Sequence, residues 1–452
     1  MGVNAGTFIF EFLNLKLIGT DEAAIRQSGD QTKVEISNCF VTGGSIKQRL
    51  IYKDDEGNLT IADLTISGQT IEQQSFISAL FGINIFNDFT ITETGFIHIV
   101  SGNSSVTNMN IYDDSTVVGS ALIDPGPVQP NYYLFAATGN NQFSNIVVYQ
   151  ASMEQYLIYV YQAKSVTIDD LYVHDLTKLS AQVINFQSGS LTLTNSVFER
   201  LESTVYFIGG VIYINIQNEA DKVQITNCNF TECTRVDETP GGAIGFNLYN
   251  KGQLEIDGAC NFNECEAIGG CAIYGIVQSG ASLIIEDECL FYKCSYEIPH
   301  SSGALELHIQ GGEVIIQGAC KFVECISQRG GAIYSIIQNN GLLNIGGECI
   351  FDQCVSSYGG AGAVYVNIQN QGQLILDNAC YFDKCISEGP YYGGGALDLM
   401  LFEGGGSVII REACVFNSCE CIQSEGGALN IYIQDEATML IEGACIFDRC
   451  TS

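Results

Sequence analysis

The sequence predicts an all-β chain, a parallel β-helix solenoid of about fifteen coils with three short strands in each. Three observations predict it. The motif Cys-x-Phe-x-x-Cys occurs eight times in the second half of the 452 residues, its leading cysteines 32, 29, 31, 29, 31, 34 and 31 residues apart. A fixed period of that size is the mark of stacked repeats. Between the copies, short alternating apolar runs end at Gly- and Asn-rich turns. Finally, 49 Gly stand against six Pro and no Trp, a balance suited to many short strands joined by glycine turns.

One repeat, residues 330–358, shows the elements in order. Ala332 to Ile337 alternates and closes at Asn339-Asn340-Gly341; Leu342 to Ile345 closes at Gly346-Gly347; Cys349 to Cys354 closes at a loop of variable length. Aligned copies separate inside from outside. The first strand turns inward Ile244, Ile273, Leu305, Ile333, Val364, Leu397 and Leu429, then Phe246, Gly275, Leu307, Ser335, Val366, Leu399 and Ile431. The column between them is Gly245, Tyr274, Glu306, Tyr334, Tyr365, Asp398 and Asn430. The second strand buries pairs such as Leu343/Ile345 and Leu374/Leu376. In the third strand the first Cys and the Phe lie two apart and point inward, and the second Cys falls at or just past the bend.

The copies are Cys228–Cys233, Cys260–Cys265, Cys289–Cys294, Cys320–Cys325, Cys349–Cys354, Cys380–Cys385, Cys414–Cys419 and Cys445–Cys450. Stacking coil on coil places Phe on Phe and Cys on Cys, about 4.8 Å apart. Three roles are open to this structural ladder of cysteines: buried thiols, disulfides, or metal ligands. Free Cys is among the most buried residue types. In-register neighbours fall inside the disulfide distance window, but parallel side chains do not offer the usual crossing angle. Zinc wants a closed tetrahedral set at tighter spacing, so neither a metal nor another cofactor is expected.

The first half follows the same logic less regularly. KVEISNCFV, NLTIADLTI, KSVTIDDLYV and SLTLTNSVF each alternate, with Asn or Asp at the bend. The expected organisation is one continuous solenoid: residues 1–222 as less regular coils, with an excursion at 112–142 around Pro125, Pro127 and Pro130, and residues 223–452 as the regular repeats.

Gly330-Gly331-Ala332-Ile333 and Gly426-Gly427-Ala428-Leu429, each followed by Phe-x-x-Cys, resemble the GGA(I/L/V)…FxxN repeat of the polymorphic outer-membrane protein family. The resemblance spans about residues 223–452. It implies a right-handed β-helix of the pectin-lyase-like class on cell-surface or secreted proteins with adhesive roles. The family's Asn is Cys in all eight copies here, and the 452 residues hold no segment that reads as the family's C-terminal barrel.

Charge and chemistry narrow the function. Eighteen Lys and Arg against 51 Asp and Glu leave a net charge of −33, which excludes a nucleic-acid footprint and an anionic lipid surface. No apolar stretch is long enough to span a membrane. The N-terminus does not read as a signal peptide. The last repeat stops two residues after Cys450, so the expectation is a piece of a longer protein.

The carboxylate pairs Asp54-Asp55, Asp113-Asp114 and Asp169-Asp170 read as turn formers rather than as an acid–base pair. His98, His174, His300 and His308 belong to no recognisable constellation, so no catalytic residue is assigned. The alternative is a lyase or hydrolase of the pectin-lyase-like class, its site in the irregular first half.

Binding has two candidate places. Edge loops after the second Cys carry Tyr296, Tyr358, Tyr391 and Tyr392, which suit protein or carbohydrate partners. The outer column of the second strand carries Ile284, Ile315, Ile375, Ile409 and Leu440, an apolar stripe suited to lateral self-association or, equally, a plain consequence of β-propensity.

Overall fold

In the computed structural model the described residues are 6–11, 14–15, 25–27, 32–46, 51–53, 58–71, 77–92, 99–112, 116–117, 133–137, 140–149, 152–153, 156–161, 163–204, 208–236, 239–296, 301–390, 393–402, 404–424 and 426–452. They form two compact units, residues 1–204 and 205–452. All described elements are strands, and no helix among them is long and apolar enough to cross a membrane. Of the expected excursion at 112–142, residues 113–115, 118–132 and 138–139 lie outside the described residues, as do Tyr391 and Tyr392.

Unit 205–452 is a parallel β-solenoid of three walls. Its first wall stacks Ile244–Leu248, Ile273–Gln278, Leu305–Gln310, Ile333–Gln338, Val364–Ile368, Leu397–Leu401 and Leu429–Ile433 in parallel register. The second runs from Lys222–Thr226 to Thr438–Ile441 and the third from Asn229–Arg235 to Ile446–Asp448. Among the described residues about eight such turns are seen, not the fifteen expected. In unit 1–204 the strands Thr32–Ile46, Ile77–Thr92 and Ala163–Leu179 run 15, 16 and 17 residues without separating into three walls.

The core is a set of ladders. The inward columns of the first two walls are fully buried through the middle of the unit. Where Gly275 leaves a gap, the Phe246 ring fills it, its Cζ only 1.8 Å from where a Cβ would sit. The eight phenylalanines of the motif stack with centroids 4.6 to 5.1 Å apart and planes within 8°. Strand register holds the rings parallel at this spacing, and each stacked pair adds about 0.5–1.5 kcal/mol beyond its buried area.

Of the two placements expected, the second cysteine takes the one just past the bend; it is buried in every copy but the last, Cys450, because the residue before it makes the bend. Glu232, Glu264, Lys293, Glu324, Gln353, Lys384, Ser418 and Arg449 all have φ between 49° and 54°. One left-handed residue shifts the two-residue alternation by one, so Phe and the Cys three places on both face the core. Unit 1–204 uses the same device: Asn145 and Asp170, at φ 52° and 57°, separate Phe143 from Ile146 and Ile168 from Leu171, all buried.

Two other corners explain the glycines and asparagines. Asn339 and Asn340, at φ 54° and 61°, form the centre of a tight turn closed by the Gly341 N–H donating to Gln338 O at 2.9 Å. In Gly-Gly-Ala the two glycines have different reasons. Gly330 has φ +63°, whereas a Cβ on Gly331 would lie 2.3 Å from the Gly362 carbonyl oxygen of the next coil.

A fourth, four-stranded strip was not expected. Ile326–Ser327, Val355–Ser356, Ile386–Ser387 and Glu420–Cys421 pair in parallel at the start of the variable loops. Buried hydroxyls donate outward from it, Ser356 Oγ to Gln328 O at 2.9 Å and Ser387 Oγ to Gly360 O at 2.8 Å. The loops therefore leave the solenoid from a fixed base.

Candidate functional site: a cleft where the tyrosine column ends

The column between the inward positions of the first wall is aromatic and acidic, and the loops partly cover it. Strand register stacks Tyr274, Glu306, Tyr334, Tyr365, Asp398 and Asn430 in that order. Tyr334 and Tyr365 stack with centroids 5.2 Å apart and planes 4° apart. The next position is Asp398, whose short side chain cannot continue the stack. A cleft of about 410 Å³ opens there, lined by Arg329, Tyr358, Gly359, Gly360, Tyr365, Asp398 and Met400.

The loop reaches the ring because residue 360 is glycine: a Cβ there would lie 2.9 Å from Tyr365 Cδ2. Burial pushes the Tyr365 phenol up to about 12, helped by Tyr334 and Asp398 nearby. The Tyr334 phenol is raised for the same reason, partly offset by the Arg329 guanidinium beside it. Arg329 is exposed on the rim.

Asp398 is the unusual group. It is wholly buried; Asn430 Nδ2 donates to its Oδ1 at 2.8 Å, while its Oδ2 has no hydrogen-bond partner. Burial raises its carboxyl from 3.8 to about 7, and the Asn430 bond offsets only part of that rise. An orphaned buried acceptor costs about 1–3 kcal/mol, which a ligand donor would recover.

At the other end of the tyrosine pair, Glu306 is satisfied: Ser302 Oγ donates to Oε2, and His308 Nε2 lies 2.7 Å from Oε1. Three strand spacings separate Glu306 from Asp398, roughly 14 Å at about 4.8 Å each. Glycosidase pairs sit about 5–9.5 Å apart, so these two carboxylates do not form one. The Asp169-Asp170 pair is structural too. Asp169 Oδ1 accepts from Thr194 Oγ1 at 2.7 Å and Asn195 Nδ2 at 2.8 Å, and Asp170 makes the bend. His174 is held by Asp175 Oδ2 at 2.9 Å and stacks on Tyr149 and Tyr172. Asp54-Asp55, Asp113-Asp114, His98 and His300 lie outside the described residues.

Of the tyrosines singled out on edge loops, Tyr358 lines the cleft and is 44% exposed. Tyr296 stands two coils away, its N–H donating to Ile326 O at 3.1 Å, and does not line the cleft. The isoleucine column stacks as aligned, Ile284 on Ile315 and Ile375 on Ile409, then Leu440. Its isoleucines are half-buried, and the column beside it, Ser282, Glu313, Leu342, Gln373 and Ser407, is polar at all but one position, so the stripe is narrow.

All nineteen cysteines are free thiols, and all but Cys445 and Cys450 are buried. From Cys265 onward the second cysteine of each motif donates its Sγ–H to the Phe carbonyl of the previous coil, as Cys354 to Phe322 O and Cys385 to Phe351 O, both at 3.4 Å. Burial holds Cys325, Cys354 and Cys385 well above the ordinary thiol range, so they are poor nucleophiles. Among the described residues no three metal-ligating side chains converge.

The column alignment of the sequence holds Asp398 but gives no position to Arg329, which lies on a variable loop. The available signal was the column itself: an acid following two tyrosines at the same repeat position. No protein-family model, curated protein or solved structure matches this chain.

Proposed function

We propose that this chain is a non-catalytic binding solenoid, adhesin-like or structural, that takes a glycan or protein partner on its edge loops. The cleft carries this reading: an aromatic face, an orphaned buried acceptor and an exposed guanidinium converge on one loop-lined recess. Such a mixture of apolar surface and few polar groups is what ligand sites share. The separation of the column's carboxylates speaks against the hydrolase alternative. The ordered Gly-Gly-Ala and Phe-x-x-Cys half-motifs support kinship with the polymorphic outer-membrane repeat and, through it, a right-handed solenoid on a cell surface or in secretion. A glycan array and a protein-capture screen, run beside reducing-sugar and lyase assays, test the reading. Retention of a partner without product supports it; release of new reducing ends or unsaturated product overturns it.

A further inference from the structure

The cleft also says what kind of ring it fits, an inference that rests on the binding reading above. We infer that the cleft takes one uncharged pyranose ring of a glycan, stacked on the face of Tyr365 turned away from Tyr334 and donating a hydroxyl hydrogen to Asp398 Oδ2. One face of the Tyr365 ring is covered by Tyr334 at 5.2 Å, and no other described ring covers it. On the opposite side its strand neighbour is Asp398, too short to fill the space a third tyrosine would occupy. The missing ring is the shape of the ligand. At about 410 Å³ the cleft lies at the small end of ligand cavities, roughly 300–1,000 Å³, which limits it to a ring or two.

Three features select the chemistry. Asp398 Oδ2 is buried without a partner, so an occupant that brings no donor leaves it unpaired; this disfavours a plain phenyl ring. Arg329 on the same rim repels an ammonium or guanidinium ligand. The net charge of −33, with Asp398 itself in the recess, repels an anionic one. An uncharged sugar satisfies all three: its C–H face lies on the tyrosine, one hydroxyl donates to Asp398, and another oxygen accepts from Arg329.

The groups that face Asp398 are Tyr365 on the preceding strand, Asn430 on the following one, and Arg329 and Tyr358 across the cleft. Phenols and guanidinium groups titrate well above neutral pH, so between pH 6 and 8 only the Asp398 carboxyl changes charge among them. Binding that uses the carboxylate as acceptor therefore weakens about tenfold from pH 8 to pH 6.

The test is an array of neutral, acidic and amino glycans probed with the full chain at pH 8 and pH 6. It is followed by saturation-transfer NMR with the methyl glycoside of any neutral hexose that scores. Expected are neutral hits at pH 8, a tenfold loss at pH 6, and a loss of tenfold or more in Tyr365→Leu. Tyr365→Phe should stay within threefold, and Asp398→Asn should bind weakly with no pH dependence. Circular dichroism melts confirm that each variant folds. Should Tyr365→Leu fail to fold, Asp398→Asn alone decides through its flat pH profile. Neutral hits that survive both Tyr365→Leu and Asp398→Asn overturn this site and leave the binding reading standing. Hits confined to acidic or amino glycans overturn the uncharged-ring assignment. An array with no hit overturns the inference outright, while a captured protein would keep the broader reading.

Discussion

Two aromatic columns in unit 205–452 differ in one respect. The phenylalanine column runs from Phe230 to Phe447 through eight consecutive stacked rings and is buried except at its last member. The tyrosine column keeps Tyr334 on Tyr365 and then stops at Asp398. An unbroken column satisfies itself: each ring's faces are covered by its neighbours, and nothing is left for a ligand. A broken column leaves a ring face, a cavity and an unpaired acceptor. In a solenoid, then, the repeated position is scaffold and the interrupted position is where chemistry can be placed.

The largest expected effect comes from breaking the scaffold column. Phe351→Ala removes two stacks, at 5.1 Å to Phe322 and 4.7 Å to Phe382, and opens a buried cavity. The cost should be about 3–5 kcal/mol. Tyr334→Ala, at a half-buried position with one ring partner, should cost roughly half as much. Urea denaturation of both variants checks the contrast; equal losses would erase the distinction between the columns.

Next comes pH. Folding raises the Asp398 carboxyl from 3.8 to about 7, so the folded state holds this proton more tightly than the unfolded one. The stabilisation is full below about pH 4 and is lost progressively as pH rises to about 7. The loss is at most about 4 kcal/mol, at about 1.4 kcal/mol per pH unit. Asp398→Asn keeps the bond from Asn430 and removes the titration. Stability measured against pH for both proteins should diverge across that window, the variant being the more stable at pH 8. Parallel curves would show that Asp398 is solvated.

The glycines sharpen the comparison on a smaller scale. A Cβ on Gly362 would sit 2.2 Å from Gly395 O and 2.5 Å from Ile386 N, both backbone atoms. Gly362→Ala should cost about 1–3 kcal/mol. At Gly346 the nearest atoms would be 3.8 Å away, so Gly346→Ala should be close to neutral. Thermal melts of the pair test whether coil spacing is set by the glycine that precedes the alanine at the start of the first wall, Gly362 here and Gly331 in the coil before.

Much of this architecture was legible in the sequence because a stacked coil repeats its own pattern. Leu343 with Ile345, and Phe351 with Cys349, declare an inward face through period two. The cleft was not legible that way. Arg329, Tyr358 and Asp398 come from three different coils and approach only through loops of unequal length. The inward turn of the second cysteine was also hidden. Its cause is a left-handed residue at positions occupied by Glu, Lys, Gln, Ser or Arg, where neither glycine nor asparagine signals the conformation.

That hidden residue gives the smallest and most local test. Gln353 has φ 54° and an exposed side chain whose only described bond, to Asp352 Oδ2, is long at 3.4 Å. An L-residue in this region pays about 1–2 kcal/mol, of which glycine's larger unfolded-state entropy returns a part. Gln353→Gly should therefore stabilise the coil by about 0.5–1 kcal/mol, against the usual expectation for glycine in a β-rich segment. Gln353→Val, branched at Cβ, should destabilise it by a similar or greater amount. The two variants remove the same side-chain amide, so only the backbone can give them opposite signs. Equal shifts in the melting midpoint would mean that packing, not the left-handed residue, turns Cys354 inward.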